Sequence, residues 1–357
     1  MIKRALNLCM SLLEQDIETA ILCKKPNILY FSGATPVVFS LLLIDCLDKE
    51  IFLIVPELEY EDCIEKSFKG VNVLYNPKDV KLTEFFMKEF RERIFSRKIG
   101  IEDSFPISTY NKLTDKMKCQ VKTIDDIIYS IRSVKSSDEL SLIKKACHIT
   151  EKALCDTINE ISVGMTELEI KGLLNYNIYK RGGEGTAFDT IVAIDSNSSK
   201  PHAKSGGIKL RKSSVMIIDC GAVYRGYCSD MTRTILMDDA PKKAHETVKI
   251  CLKAHIEAAM SLAEGAKACE VNEIATKILA EYKLDKYFIH GLGHGVGVEI
   301  HEKPYLNALS KDILKTGNTV TIEPGVYFKG KFGVRIEDMY VIKGDHAERM
   351  HTLDQLI

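Results

Sequence analysis

Four carboxylates occupy positions that a folded chain ordinarily gives to apolar side chains. Asp219 follows the apolar run Val215–Ile218, and Asp230 lies further along the same segment, VMIIDCGAVYRGYCSDMTRTIL. The segment reads as two strands around a turn at Tyr224-Arg225, which would set Asp219 directly opposite Asp230. Opposed residues of an antiparallel pair have Cβ atoms roughly 4.5–5.5 Å apart, and like charges there are destabilising. Two buried, facing aspartates are costly unless one is protonated or a cation sits between them. A second segment, TVTIEPGVYFKGKFGVRIEDMYVI, turns around Lys329-Gly330-Lys331. Glu323 and Glu337 are equally distant from Gly330, so they too can face one another. One such pair could be chance, or two acids sharing a proton. Two pairs in one domain read as an oxygen cage for metal.

A fifth group comes from His290-Gly291-Leu292-Gly293-His294-Gly295-Val296-Gly297. A lone histidine is more often simply buried or paired. The glycines around His294 permit close backbone approach, and beside four carboxylates the imidazole reads as a ligand. Four carboxylates and one imidazole suit Mn, Co, Fe or Zn better than Ca, and they are not the thiolate set of a structural zinc site. Four carboxylates would overload a single divalent ion, so two ions are expected, roughly 3.5–4 Å apart.

The elements that position these groups belong to a long, balanced chain. At 357 residues it exceeds one typical core. A smaller domain is predicted over residues 1–125 and a larger one over 126–357. Basic residues number 49 and acidic residues 50. That balance leaves no bulk field to favour nucleic acid or an anionic membrane. The eleven cysteines contain no CxxC pair and are odd in number, which fits free thiols in a reducing, cytoplasmic setting. The uncharged stretch 27–44 is long enough to raise the question of a membrane span. Ser32-Gly33 and Pro36 interrupt it, so it is read as two buried strands around a turn.

Residues 1–125 alternate helix-like and strand-like stretches. Strands are predicted over Asn27–Phe31, Val37–Ile44, Ile51–Val55, Lys98–Glu102 and Gln120–Thr123, and a helix over Leu82–Phe95. A long helix is predicted to open the second domain, with its N-cap region at Ser136-Ser137-Asp138-Glu139. Another is predicted to start at Thr166, with Glu169 completing a capping box. Helices over Ala240–Leu262 and Val271–Tyr282, with antiparallel strands between and after them, make the second domain α+β.

These segments resemble the pita-bread metallopeptidases, the family that includes Xaa-Pro dipeptidase, Xaa-Pro aminopeptidase, methionine aminopeptidase and the metal-free creatinase. The resemblance rests on IIDCGAVYRGYCSDMTRT, HGLGHGVGVEIHEKPYL, TIEPGVYF and GVRIEDM. It covers about 225 residues strongly, from near Ile131 to the C-terminal end. It reaches more weakly into the first domain through NILYFSG (residues 27–33), which is similar to the α/β domain that precedes catalysis in creatinase-type members. The resemblance implies that Asp219 chelates one metal, that Asp230 and Glu337 bridge both, and that His294 and Glu323 complete the second. It implies that Glu323 moves a proton from a bridging water to the leaving amine. His202 resembles the histidine that contacts substrate at the mouth of the site. His301 resembles the one that binds the scissile carbonyl, Arg335 resembles the substrate-anchoring arginine, and His290 would line the pocket. Asp195 departs from the family, whose members commonly have glycine there.

The expected activity is therefore hydrolysis of Xaa-Pro bonds in dipeptides by a homodimer that holds two divalent ions per subunit, Mn or Co favoured. Its substrate would be a small peptide with proline after the scissile bond. Nucleic acid and membrane are not expected as partners. An aminopeptidase acting on longer peptides is the alternative within the family, and a non-catalytic binding scaffold of the same fold is the alternative outside it.

Overall fold

The computed structural model describes residues 2–355. It divides into two compact units between Arg132 and Ser133.

The first unit is built on a six-stranded mixed sheet. Its strands are β1 (Thr19–Leu22), β2 (Leu41–Asp45), β3 (Glu50–Pro56), β4 (Val71–Asn76), β5 (Lys98–Ile101) and β6 (Gln120–Thr123), in the order β4-β3-β2-β1-β5-β6. The outer pairs β3/β4, β1/β5 and β5/β6 are parallel, and the central β1/β2 and β2/β3 pairs are antiparallel. β1 and β2 are buried along their whole length, as expected where both faces of a sheet are covered. The first helix, Lys3–Leu13, turns Ala5, Leu8, Cys9 and Leu12 inward.

The predicted strand at Asn27–Phe31 is instead a helix, Lys25–Ser32. Pro26 sits in its first turn, where its missing N–H costs nothing, and left-handed Gly33 ends it. Those two signals outweigh the β-rich look of Ile28, Tyr30 and Phe31. The predicted strand from Val37 begins only at Leu41. No helix among the described residues is long and apolar enough to cross a membrane.

The second unit opens with the helix Ser137–Glu160, whose Ser136 and Glu139 close a capping box. Thr166 and Glu169 cap the next helix, Glu167–Lys180, in the same way. Its strands are β7 (Gly185–Thr186), β8 (Ile191–Ile194), β9 (Val215–Cys220), β10 (Ala222–Tyr224), β11 (Tyr227–Cys228), β12 (Met231–Leu236), β13 (Gly293–Gly295), β14 (Glu302–Leu306), β15 (Thr319–Ile322), β16 (Gly325–Phe328), β17 (Phe332–Arg335), β18 (Asp338–Lys343) and β19 (His346–Arg349). They form a three-stranded sheet β12-β9-β8, a five-stranded sheet β14-β13-β15-β18-β19, a small sheet β11-β10-β7 and the hairpin β16-β17. Helices Lys242–Met260 and Ala268–Glu281 bury Ala254, Ala258, Val271 and Leu279 in one cluster with Val320, Ile322, Val334 and Ile342. The second unit is thus α+β, as its sequence pattern predicts.

One register differs from expectation. Asp219 pairs with Thr232, not with Asp230. The hairpin turns at Arg225-Gly226, both with positive φ (47° and 74°), and Tyr224 pairs with Tyr227 around them. Two left-handed central residues are what a two-residue hairpin of type I′ requires. The turn lies one residue later than predicted, which moves every partner on the return strand by two. Gly226 carries no side chain to strain that turn. The variant Gly226→Ala is expected to lose roughly 1–2 kcal/mol of stability, and Gly226→Asn less, measured by urea denaturation.

Candidate metal centre

Asp230 sits just before β12, two residues from Thr232, so it shares a strand face with Asp219's partner. The two aspartates are diagonal neighbours, within reach of one ion across the strand pair. Glu323 and Glu337 oppose each other as expected, but in a gap. The ladder β15/β18 ends at Ile322↔Asp338, and β16/β17 resumes at Gly325↔Arg335 in the same register. Inside the gap the backbone turns to other strands. The N–H of Glu323 donates to the Leu292 carbonyl at 2.8 Å, and that of Glu337 donates to the Thr232 carbonyl at 3.1 Å. The interruption therefore draws Glu323 to the strand of His294 and Glu337 to the strand of Asp230.

His294 lies at the middle of β13, pressed between neighbours. A Cβ on Gly293 would stand 2.0 Å from the Thr321 carbonyl oxygen, and one on Gly295 would stand 2.3 Å from that of Lys303. Only glycine fits on either side. His294 Nδ1 lies 3.0 Å from the Gly295 carbonyl. Donation there leaves the Nε2 lone pair 3.5 Å from Asp230 Oδ2 and 3.4 Å from Glu323 Oε1. A backbone partner of this kind fixes the tautomer of a ligating imidazole. One donor atom each of Asp230, His294 and Glu337 lies within 4.8 Å of the other two.

The electrostatics are those of a site short of positive charge. Burial, then the charges of Glu337, Asp219 and Glu323, hold the Asp230 carboxyl well above its ordinary range. Burial, then Glu323 and Asp219, do the same to Glu337. Burial raises Glu323 to about 8, and it raises Asp219 against the pull of Arg335. His294 is pushed down to about 4, first by burial and then by His301, so it is neutral and able to ligate. Oδ1 of Asp219 is buried and finds no hydrogen-bond partner among the described residues. An unfilled acceptor amid four carboxylates fits a divalent cation.

Arg335 is buried and wholly engaged. Its Nη2 meets Asp219 Oδ2 at 2.5 Å, its Nη1 donates to the Tyr327 hydroxyl at 2.8 Å, and its Nε donates to Thr232 Oγ1 at 3.0 Å. The Thr232 hydroxyl in turn donates to Glu337 Oε2 at 2.6 Å. One chain of bonds thus orients a carboxylate from each pair. Thr232, Thr321 and Tyr327 were not singled out from sequence. Thr321 donates weakly to Glu323 Oε1 at 3.4 Å. Thr232 and Thr321 each lie two residues from an acid of the cluster, so the spacing that marked Arg335 beside Glu337 also marks them.

All nine residues singled out from sequence line one cavity of about 520 Å³, a volume suited to a small substrate. His301 is exposed at its mouth, with its ring centroid 4.2 Å from that of His294. His290 contacts the Tyr327 hydroxyl at 3.0 Å. His202 lies on the loop after β8, held by the buried carboxylate of Glu167, which accepts from the N–H groups of Ile194 (2.7 Å) and Gly206 (2.6 Å). Asp195 explains its own departure from glycine. Its φ is +51°, and its carboxylate accepts from the Val215 N–H (3.0 Å), the Ser214 hydroxyl (3.0 Å) and Arg211 (2.6 Å). Aspartate is among the few side chains that tolerate this region. Phe188, Ile191 and Tyr305 add apolar wall.

Fold and site together describe a hydrolase that works with bound metal. Residues 141–344 match metallopeptidase family M24, and residues 4–134 match the creatinase/prolidase N-terminal domain. The chain belongs to metallopeptidase family M24. It is 37% identical over 338 residues to an Xaa-Pro dipeptidase of Pyrococcus horikoshii, covering 94% of this chain and 93% of the relative. The crystal structure of the prolidase from Pyrococcus horikoshii superposes with a TM-score of 0.91 at 35% identity, over 99% of each chain. The X-Pro aminopeptidase from Thermotoga maritima also gives 0.91, at 30% identity, over 99% of this chain and 98% of that one.

The raised carboxyls carry a consequence for stability. A group whose pKa is higher folded than unfolded binds more protons in the folded state, so its contribution is lost as pH rises through that window. For Glu323 the window runs from 4.5 to about 8. Metal displaces those protons. The melting-temperature gap between metal-loaded and metal-stripped protein is therefore expected to widen from about pH 5 to about pH 8. A constant gap would contradict the protonated, cation-hungry cluster.

Proposed function

We propose that this protein hydrolyses Xaa-Pro dipeptides, with two divalent ions held by Asp219, Asp230, His294, Glu323 and Glu337. The metal reading is carried by the convergence of four carboxylates and a neutral imidazole on one cavity, with Arg335 as the cation bonded to the cluster. The substrate reading is carried by the 37% identity, across 94% of the chain, to a relative named Xaa-Pro dipeptidase. The donor set suits Mn, Co, Fe or Zn, and Mn or Co is favoured for a site this rich in oxygen.

When bound, such ions lower the pKa of a coordinated water and polarise a carbonyl. Glu323, only partly buried at the cavity wall, accepts the proton of the attacking water. It delivers that proton to the proline nitrogen as the C–N bond breaks, so the product leaves with a neutral imino group. His301 reaches the carbonyl oxygen from the cavity mouth and donates an N–H as charge develops there. His202 contacts the substrate at the same mouth, and His290 lines the pocket behind it. Arg335 holds Asp219 in place and, through Tyr327, shapes the wall facing His290.

Eleven cysteines that form no disulfide among the described residues suit a reducing cytoplasm. The exposed run Val37, Val38 and Phe39 in the first unit offers apolar surface for a homodimer. An aminopeptidase acting on longer peptides is the second reading, favoured by the 0.91 superposition on the X-Pro aminopeptidase from Thermotoga maritima.

The test is hydrolysis of Met-Pro, a Gly-Pro-containing tripeptide and Met-Ala by protein stripped of metal and reloaded with Mn, Co or Zn. Metal-dependent cleavage of Met-Pro alone is expected. Cleavage of the tripeptide supports the second reading, and folded protein that cleaves none of them contradicts both. The variant Glu323→Gln is expected to lower kcat by about 10²–10⁴ while remaining folded.

A further inference from the structure

Behind the metal centre, on the far side of β12, lies a second buried polar cluster that catalysis does not use. Strand alternation sends Asp230, Thr232 and Thr234 towards one side and Arg233 towards the other. Arg233 is 0% exposed. All five of its N–H donors are matched. Nε donates to the Asp354 carbonyl (2.9 Å). Nη1 donates to the carbonyls of Thr232 (3.0 Å) and Glu337 (2.6 Å). Nη2 donates to Asp338 Oδ1 (2.8 Å) and the Leu353 carbonyl (3.1 Å). Asp338 is equally buried and also accepts from Gln355 at 2.8 Å.

The placement of this guanidinium matters more than its satisfaction. β12 belongs to the three-stranded sheet and β18 to the five-stranded one, and no strand ladder joins them. They meet where Asp230 and Glu337 must stand together, through the bond from the Glu337 N–H to the Thr232 carbonyl. From the other side, one nitrogen of Arg233 bonds the Thr232 and Glu337 carbonyls at once. Asp338, next in sequence to Glu337, fixes the second nitrogen. A planar fork can make this bridge, and a lysine ammonium cannot reproduce its geometry.

We propose that Arg233 and Asp338 form a positioning pair for the metal centre, a buried fork that replaces the missing ladder between the strands of Asp230 and Glu337. The inference rests on the metal reading above. A pair that serves only the fold would change melting temperature alone. A positioning pair changes how tightly the folded protein holds metal.

Two variants separate these. Arg233→Lys keeps the charge and loses the fork. The double variant Arg233→Leu with Asp338→Leu removes both charges together, so that neither is left buried without the other. Each full-length chain is stripped of metal, its melting temperature recorded, and Mn²⁺ titrated by calorimetry. kcat and KM for Met-Pro are then measured on the loaded protein. In both variants Mn²⁺ affinity is expected to fall by about 10–100-fold, the range typical of groups that orient ligands. kcat falls with it, while KM stays within about twofold for a change that touches no substrate contact. Should Arg233→Lys fail to fold, the double variant carries the same readout. A folded variant with wild-type affinity and kcat, whatever its melting temperature, overturns the proposal. A wild-type protein that takes up no Mn²⁺ overturns the metal reading and this inference with it.

Discussion

The mutual repulsion of four clustered carboxylates, three of them buried, is the constraint on which the second unit depends. Two like charges about 4 Å apart repel by about 4 kcal/mol at an effective dielectric constant of 20. A whole domain is stable by only about 5–15 kcal/mol, so the four cannot all be charged and close without a counterion. Arg335 bonds Asp219 alone among them. Protons or cations must supply the rest. The upward shifts of Asp230, Glu323 and Glu337 describe the proton-filled state, and divalent metal is the alternative that also does chemistry.

The fold meets this constraint by interrupting its own sheets. The β15/β18 and β16/β17 ladders share one register, yet they leave Glu323 and Glu337 unpaired between them. The freed backbone groups bond to Leu292 and Thr232, which brings four strand ends to one point. Gly293 and Gly295 let β13 approach closely enough to add His294. Thr232 and Arg335 then hold the carboxylates in fixed directions. Such preorganisation is what a metal site needs if its geometry is not to be left to the ion.

Much of this was legible in the sequence, for identifiable reasons. An acid directly after an apolar β run marks a carboxylate carried inward, and this found Asp219, Glu323 and Glu337. Gly330 announced its turn, so the Glu323–Glu337 register came out as observed. Arg225 announced nothing, since arginine seldom adopts positive φ, and the partner of Asp219 was misplaced by two residues. The strand predicted over Asn27–Phe31 lies inside the helix Lys25–Ser32, where burial of Asn27, Ile28, Tyr30, Phe31 and Ser32 erases the periodicity that separates helix from strand. The hydroxyls of Thr232, Thr321 and Tyr327 carried no motif of their own. Their roles come from what lies beside them, which strand pairing decides.

The most direct test of the central claim is anomalous diffraction from a crystal of the protein soaked in Mn²⁺, with data collected on the high-energy side of the Mn absorption edge. Two peaks are expected, roughly 3.5–4 Å apart, bounded by Asp219, Asp230, His294, Glu323 and Glu337. A well-ordered cavity with no anomalous peak, or Mn²⁺ bound only elsewhere on the chain, would contradict it.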